Sequence, residues 1–79
     1  MALQDEVLAL VSQVIKVPVG ELDADSGLGT VQNWDSMNHT SLVLALEEAF
    51  DIGFDFDELD RIVTVAAITH SLEEKGVSR

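Results

Sequence analysis

Apolar residues recur at helical spacing in three parts of the chain, and this periodicity constrains the fold more than any other feature. At about 100° per residue, the apolar side chains of the first segment fall on one side of a helix. They are Leu3, Val7, Leu8, Leu10, Val11, Val14 and Ile15. We expect this helix to end at Val17-Pro18, because proline restricts the residue before it and has no N–H for the helix ladder.

Two later segments also predict helices. One runs from about residue 36 to 50, and its predicted core positions are Leu42, Val43, Leu46, Ala49 and Phe50. The other has Thr64 as its N-cap and ends at Gly76. Its predicted buried stripe is Val65, Ile68 and Leu72. Between these segments, residues 55–60 predict at most a short turn of helix, because Asp favours helix caps over interiors.

Residues 17–34 show no persistent period and predict a long loop, interrupted by one proline and three glycines. Apolar residues spaced along it predict an ordered loop that is pinned to the core: Val19, Leu22, Leu28, Val31 and Trp34. No strand-like alternation occurs anywhere in the sequence. We therefore expect an all-α fold, a small four-helix bundle of three main helices and one short helix, forming a single domain over residues 1–79.

Charge excludes several classes of function. The 79 residues include 15 Asp or Glu and only 4 Lys or Arg, which gives a formal net charge of −11. Such a chain is repelled by phosphate backbones and anionic headgroups, so we expect no nucleic acid and no membrane among its partners. The sequence has no signal-peptide pattern and no apolar run of membrane-spanning length, which predicts a cytoplasmic protein.

Ser36 lies where the long loop meets the start of the second predicted helix. Either Asp35 or Ser36 could serve there as an ordinary N-cap. A phosphate esterified to Ser36 would face unpaired backbone amides and the positive end of the helix dipole. The position therefore also suits an anionic attachment.

The outward face of the same helix predicts a docking surface. Met37 and Leu44 fall nearly opposite the buried stripe, and Thr40, Glu47 and Glu48 surround them. Exposed apolar side chains that are rimmed by carboxylates are typical of a surface that binds a partner protein.

Taken together, these segments resemble the acyl carrier protein family over nearly the whole chain. Asp35-Ser36-Met37 resembles the family's Asp-Ser-Leu or Asp-Ser-Met attachment motif, and residues 42–50 resemble its second helix. Residues 62–68 resemble the family's run into its last helix. The resemblance implies a four-helix carrier whose Ser36 receives 4′-phosphopantetheine from coenzyme A and holds acyl groups as thioesters. Because the chain has no Cys, the prosthetic group would supply the thiol, and the carrier itself catalyses nothing.

The resemblance also implies the partners of a monomeric carrier. They are a phosphopantetheinyl transferase, an acyl-loading ligase or acyltransferase, and a ketosynthase or other acyl-processing enzymes with basic patches. Carboxylates would steer the carrier toward Lys and Arg on these enzymes; they are Asp35, Glu47, Glu48 and Asp51.

The residues around the motif bear on the pathway. Where primary fatty-acid carriers often hold further acids, this chain has Asn38, His39, Thr40 and Ser41. Together with Trp34, these residues favour a carrier of a polyketide or other specialised acyl pathway over one of fatty-acid biosynthesis.

An enzyme is the first alternative, with Asp35, Ser36 and His39 as a catalytic triad. Adjacent residues on one short segment rarely reach the geometry of nucleophile, base and orienting group together, so we expect no catalytic residue. We expect His39 to pack or to cap the loop, and His70 to be a solvated surface residue.

Two acidic stretches are candidates for calcium-binding loops. The stretches that begin at Asp23 and Asp51 lack the turn glycine at the required place and the final bidentate Glu, so we expect no metal site. The remaining alternative is an acidic helical adaptor that docks partners through Met37 and Leu44 without a prosthetic group.

Overall fold

The computed structural model describes residues 2–77, which form three α-helices: α1 (Leu3–Ile15), α2 (Ser36–Phe50) and α3 (Val65–Glu74). Two single 3-10 turns lie in the connections, at Val19–Glu21 and Phe56–Glu58. Within the described residues there is no β-strand, only an isolated antiparallel bridge between Gly27 and Thr64. The all-α prediction is confirmed, and the predicted short helix is a single 3-10 turn. Over residues 2–77, no helix is both long and apolar enough to cross a membrane.

Helix α1 ends slightly before the predicted proline boundary. Lys16 adopts a left-handed conformation with φ 60°, and its N–H donates to the carbonyl of Ser12. The Ser12 hydroxyl donates in turn to the carbonyl of Val17 at 2.6 Å, so the chain leaves the helix on a fixed path. The predicted apolar side packs inward, with Leu3, Val7, Val11 and Ile15 buried and Leu8, Leu10 and Val14 partly buried.

Helix α2 has the predicted bounds, and its core face is narrower than predicted. Leu42, Leu46 and Phe50 are buried, and Val43 is half-buried. Ala49 is exposed, so its assignment to the core is wrong. Ala49 faces a shallow open groove that is also lined by Ala9 and Leu10 of α1. Two alanines that face each other have too little side chain to close such a groove.

Helix α3 begins and ends as the sequence predicts. The Thr64 hydroxyl caps the first turn by accepting from the N–H of Ala67 at 3.1 Å. At the other end, Gly76 has φ 88°, its N–H donates to Glu73, and the N–H of Val77 donates to Leu72. This pair of bonds is the Schellman arrangement, in which glycine adopts a positive φ at little cost. Val65, Ile68 and Leu72 are buried as predicted.

The long first loop is ordered and contributes to the core through Val17, Leu22 and Trp34. Leu28 and Val31 pack against it in part. Val19 was predicted to pin the loop, but this is wrong, because its side chain is 50% exposed. Val17 and Leu22 flank the 3-10 turn on either side and take the core positions, which leaves Val19 outside.

The first loop is fastened directly to the start of α3. The N–H of Leu28 donates to Val63 at 2.8 Å, and the N–H of Val65 donates to Ser26 at 2.9 Å. Gly27 lies between them, and a Cβ atom there would collide with the carbonyl oxygen of Val63. Only glycine permits this close backbone approach.

Candidate functional site

The N-terminus of α2 carries an exposed serine that does not act as the cap. Asp35 is the N-cap, because its Oδ1 accepts from the N–H of Asn38 at 2.9 Å. Ser36 follows and is exposed. Within residues 2–77, its hydroxyl makes no hydrogen bond, and the N–H groups of Ser36 and Met37 have no acceptor. Free amides and a free hydroxyl therefore meet at the positive end of the helix dipole.

The loop before Ser36 is held firmly. Trp34 is 1% exposed. Its backbone N–H donates to the carbonyl of Val31 at 3.1 Å, and its backbone carbonyl accepts from the N–H of Gly29 at 3.0 Å. Asn33 has φ 69°, a left-handed conformation that asparagine tolerates better than most residues. The Asn38 side chain donates to the carbonyl of Asn33 at 2.7 Å. The position of Ser36 is thereby fixed from both sides of the turn.

A hydrogen bond between Trp34 and His39 joins the loop to the first turn of α2. The indole N–H donates to His39 Nδ1 at 2.9 Å, and the two rings stack with their centroids 6.1 Å apart. Indole is only a donor, so Nδ1 is unprotonated and the proton of the neutral ring lies on Nε2. That nitrogen is buried and has no hydrogen-bond partner within the described residues. The prediction that His39 packs against the loop is confirmed.

Burial lowers the pKa of His39 below its ordinary value of 6.5. Because the unfolded chain then binds a proton more readily than the folded one, the free energy of unfolding should fall as pH drops from about 6.5 toward the lowered pKa. Protonation at Nδ1 also removes the acceptor of the Trp34 bond. We expect His39→Gln, which keeps an acceptor that does not titrate, to abolish this slope.

The measurement is denaturant unfolding at several pH values above about 5, where most carboxylates are still charged. His70→Gln is the matched control and should keep the slope, because the His70 side chain is 73% exposed and lies at the surface beside Glu74, 3.4 Å away. A slope that persists unchanged in His39→Gln would contradict the assignment.

The outward face of α2 has the exposure that the sequence predicts. Met37 is 80% exposed and Leu44 is 61% exposed. Thr40 and Glu48 are exposed beside them, and the Thr40 hydroxyl donates to the carbonyl of Ser36 at 3.0 Å. The apolar side chains and the carboxylates therefore share one surface with Ser36.

Glu47 differs from the other carboxylates of this face. It is half-buried, and its Oε2 accepts from the N–H of Phe54 at 2.8 Å. Asp51 ends α2 in a left-handed conformation with φ 54°, and its N–H donates to the carbonyl of Glu47. Glu47 therefore holds the loop after α2 in place, which the sequence did not indicate because the two partners lie seven residues apart across an irregular turn.

A mainly apolar cleft of about 370 Å³ lies between α2 and this loop. Its walls are His39, Thr40, Val43, Leu44, Glu47, Phe54 and Leu59. Leu59 comes from the stretch, residues 55–60, that was predicted only as a short turn of helix. The cleft connects the first turns of α2 to the second connection of the chain.

Both histidines have the environments that the sequence predicts, because His39 packs against the loop and His70 is exposed. The two acidic stretches do not come together in a metal-binding group. Among residues 2–77, no three His, Cys, Asp or Glu side chains come together in a group that could hold a metal ion.

The protein is thus a small helical one with an exposed serine at the N-terminus of α2. The sequence profile of the family described as "Phosphopantetheine attachment site" matches residues 5–72. An acyl carrier protein of Prochlorococcus marinus (strain MIT 9515) is 36% identical in an alignment of 76 residues, which covers 91% of this chain and 95% of that protein.

The chain therefore belongs to the acyl carrier protein family. It is a carrier with covalently attached 4′-phosphopantetheine and has no catalytic activity of its own. Membership implies interaction with a phosphopantetheinyl transferase and with acyl-processing enzymes. The predicted carrier function is confirmed.

Proposed function

We propose that Ser36 carries the 4′-phosphopantetheine arm. The observation that carries this proposal is the free, exposed hydroxyl at the N-terminus of α2, where Asp35 already provides the cap. A phosphodiester on Ser36 Oγ would lie beside the free amides of Ser36 and Met37, where the helix dipole favours negative charge. When bound, the arm supplies the thiol that the chain lacks.

Comparison with the other described serines supports the choice. Ser12 donates to Val17, Ser41 donates to Met37 and Ser71 donates to Glu58. Ser26 is buried and donates to Asp23 at 3.3 Å. Ser36 is thus the one serine within residues 2–77 that is both exposed and free of a hydrogen bond through its hydroxyl.

The proposal is tested by intact mass after incubation of the purified protein with coenzyme A and a broad-specificity phosphopantetheinyl transferase. Fragmentation of the product then locates the modified residue. We expect one added phosphopantetheine and a modified fragment that contains Ser36. A single addition on any other serine would contradict the proposal.

We further propose that the outward face of α2 docks the partner enzymes. This docking face consists of Asp35, Met37, Thr40, Leu44, Glu47, Glu48 and Asp51. Its support is the exposure of Met37 and Leu44 next to Ser36, with carboxylates around them. Because the chain has a net charge of −11, electrostatic attraction to basic patches would speed association and make it sensitive to salt.

Reversal of one charge tests the docking face. Glu48→Lys should lower kcat/KM for arm attachment several-fold at low salt, and the difference should shrink as salt is raised. Glu48 is the suitable residue because it is exposed, whereas Glu47 holds the N–H of Phe54. Attachment rates are followed by mass at two ionic strengths.

Glu73→Lys on α3 is the matched control, since it is also exposed and changes the net charge by the same amount. It should load at nearly the parental rate. Equal slowing by both variants would indicate an effect of net charge alone and would contradict a docking face on α2.

The pathway is proposed from the residues around Ser36. The first turn of α2 contains no acidic residue, and Asn38 and His39 there bind the loop through Asn33 and Trp34. We propose a cytoplasmic, monomeric, single-domain carrier of a polyketide or other specialised acyl pathway. A loading ligase or acyltransferase and a ketosynthase would be its partners. The turn Phe56–Glu58 would occupy the place of the short fourth helix.

A further inference from the structure

Phe56 displays an aromatic ring to solvent on the connection between α2 and α3. Its side chain is 87% exposed, whereas Trp34 is 1% exposed and Phe50 is 8% exposed. Phe54, two residues earlier, is half-buried against the core. Aromatic side chains are enriched where proteins bind one another, so a ring with this exposure is a candidate contact for a partner.

The turn that holds Phe56 is anchored rather than loose. Glu58, in the same turn, pairs with Lys75 of α3 at 2.7 Å and accepts from the Ser71 hydroxyl at 3.2 Å. Both members of the ion pair are largely shielded, with 17% and 20% of their side chains exposed. The hydrogen bond from Lys75 is the main reason why the pKa of Glu58 lies below its ordinary value. A ring on a fixed turn loses little conformational freedom when it binds.

The turn is continuous with the proposed docking face. The N–H of Leu59 donates to the carbonyl of Phe56 at 3.3 Å, and Leu59 lines the cleft whose opposite wall includes Thr40 and Leu44. The cleft therefore links the turn to α2 without an intervening element. An enzyme seated over Ser36 and α2 would meet the Phe56 turn at the far side of the cleft.

The charges around the ring indicate the chemistry of the partner. Asp55, Asp57 and Asp60 are exposed on either side of Phe56 along the chain. The complementary surface is an apolar pocket rimmed by Lys or Arg. A second copy of this chain does not fit, because two chains that each carry a net charge of −11 repel one another.

We propose that Phe56 is a second anchor for the phosphopantetheinyl transferase that acts at Ser36. Its ring enters an apolar pocket on the transferase, and Asp55 and Asp57 meet basic side chains at the rim. The inference rests on the proposed role of Ser36, because that role brings the transferase to the docking face, which the cleft joins to the Phe56 turn.

The test measures binding separately from attachment. In chains that carry Ser36→Ala, the dissociation constant for a broad-specificity phosphopantetheinyl transferase is measured by interferometry with and without Phe56→Ala. We expect Phe56→Ala to weaken binding by at least about fivefold, as truncation of a central aromatic anchor does. Phe56→Leu keeps an apolar side chain on the turn and should bind between the two.

Val19→Ala is the matched control, because Val19 is another exposed apolar residue on a single 3-10 turn. It should bind within twofold of its parent. Binding by Phe56→Ala within twofold of Val19→Ala, with an unchanged unfolding transition, would overturn the inference. If the transferase adds the arm to a residue other than Ser36 while Phe56→Ala still weakens binding, the role of Ser36 fails and the anchor stands.

Discussion

Ser36→Ala is expected to abolish attachment of the 4′-phosphopantetheine arm and to leave the fold intact. The substitution removes the exposed hydroxyl, and the structure holds no other free serine hydroxyl within the described residues. Because Asp35 caps α2, the free energy of unfolding should change by less than about 0.5 kcal/mol. Intact mass after incubation with coenzyme A and transferase, together with denaturant unfolding, measures both effects.

Ser41→Ala supplies the control for this experiment. Ser41 is also exposed on α2, but its hydroxyl donates to the carbonyl of Met37 at 3.5 Å. This variant should load fully. Attachment to the Ser36→Ala chain, or failure of Ser41→Ala to load, would contradict the assignment of the arm to Ser36.

Leu46→Ala is expected to have the largest effect on stability. Leu46 is fully buried on the core face of α2. Loss of a buried leucine side chain costs roughly 2–5 kcal/mol, because the cavity that it leaves closes only in part. A domain of this size has a free energy of unfolding of about 5–15 kcal/mol, so the substitution removes a large share of the stability. Denaturant unfolding followed by the fluorescence of Trp34, the one tryptophan of the chain, measures the change.

Leu44→Ala makes the same chemical change two residues earlier on α2. Leu44 is 61% exposed, so its loss should change stability by less than about 0.5 kcal/mol and should slow arm attachment instead. Equal destabilisation by the two variants would mean that α2 does not face the core as described.

The bounds of α2 and α3 were predictable because local chemistry sets them. Asp35 and Thr64 are side-chain caps, and Gly76 adopts the positive φ that ends a helix. These signals depend on residues within one turn of the helix end, so the sequence alone contains them. The position of Ser36 at the start of α2 follows from the same signals.

Tertiary packing decided the features that were not predicted. Helical periodicity places Ala49 at the edge of the buried stripe, but whether an edge position is covered depends on the facing helix. There the groove is lined by Ala9 and Leu10, together with Glu6 and Gln13, and stays open. Val19 is likewise exposed because its neighbours occupy the core. Periodicity identifies a face and does not show what lies opposite it.

In the candidate site, too, the features that depend on local sequence were predictable and those that depend on tertiary contacts were not. The exposure of Met37 and Leu44 was predicted from their positions on the helix, and the structure confirms it. The hydrogen bond between Trp34 and His39 joins a loop residue to a helix residue, and its geometry depends on how the loop returns. Phe56 lies in an acidic stretch without a helical or strand period, so nothing in the sequence singles it out.

The backbone bonds between the first loop and α3 have a consequence for how the molecule opens. The amides of Leu28, Val65 and Ala66 donate across a sequence separation of more than 30 residues, to Val63, Ser26 and Ala24. Such bonds break only when the connection separates from α3, so these amides should exchange with solvent deuterium as slowly as those of the helices. The irregular segment before Ser36 would then belong to the most slowly opening cooperative unit. The segment that positions Ser36 would then stay folded while enzymes bind and dissociate.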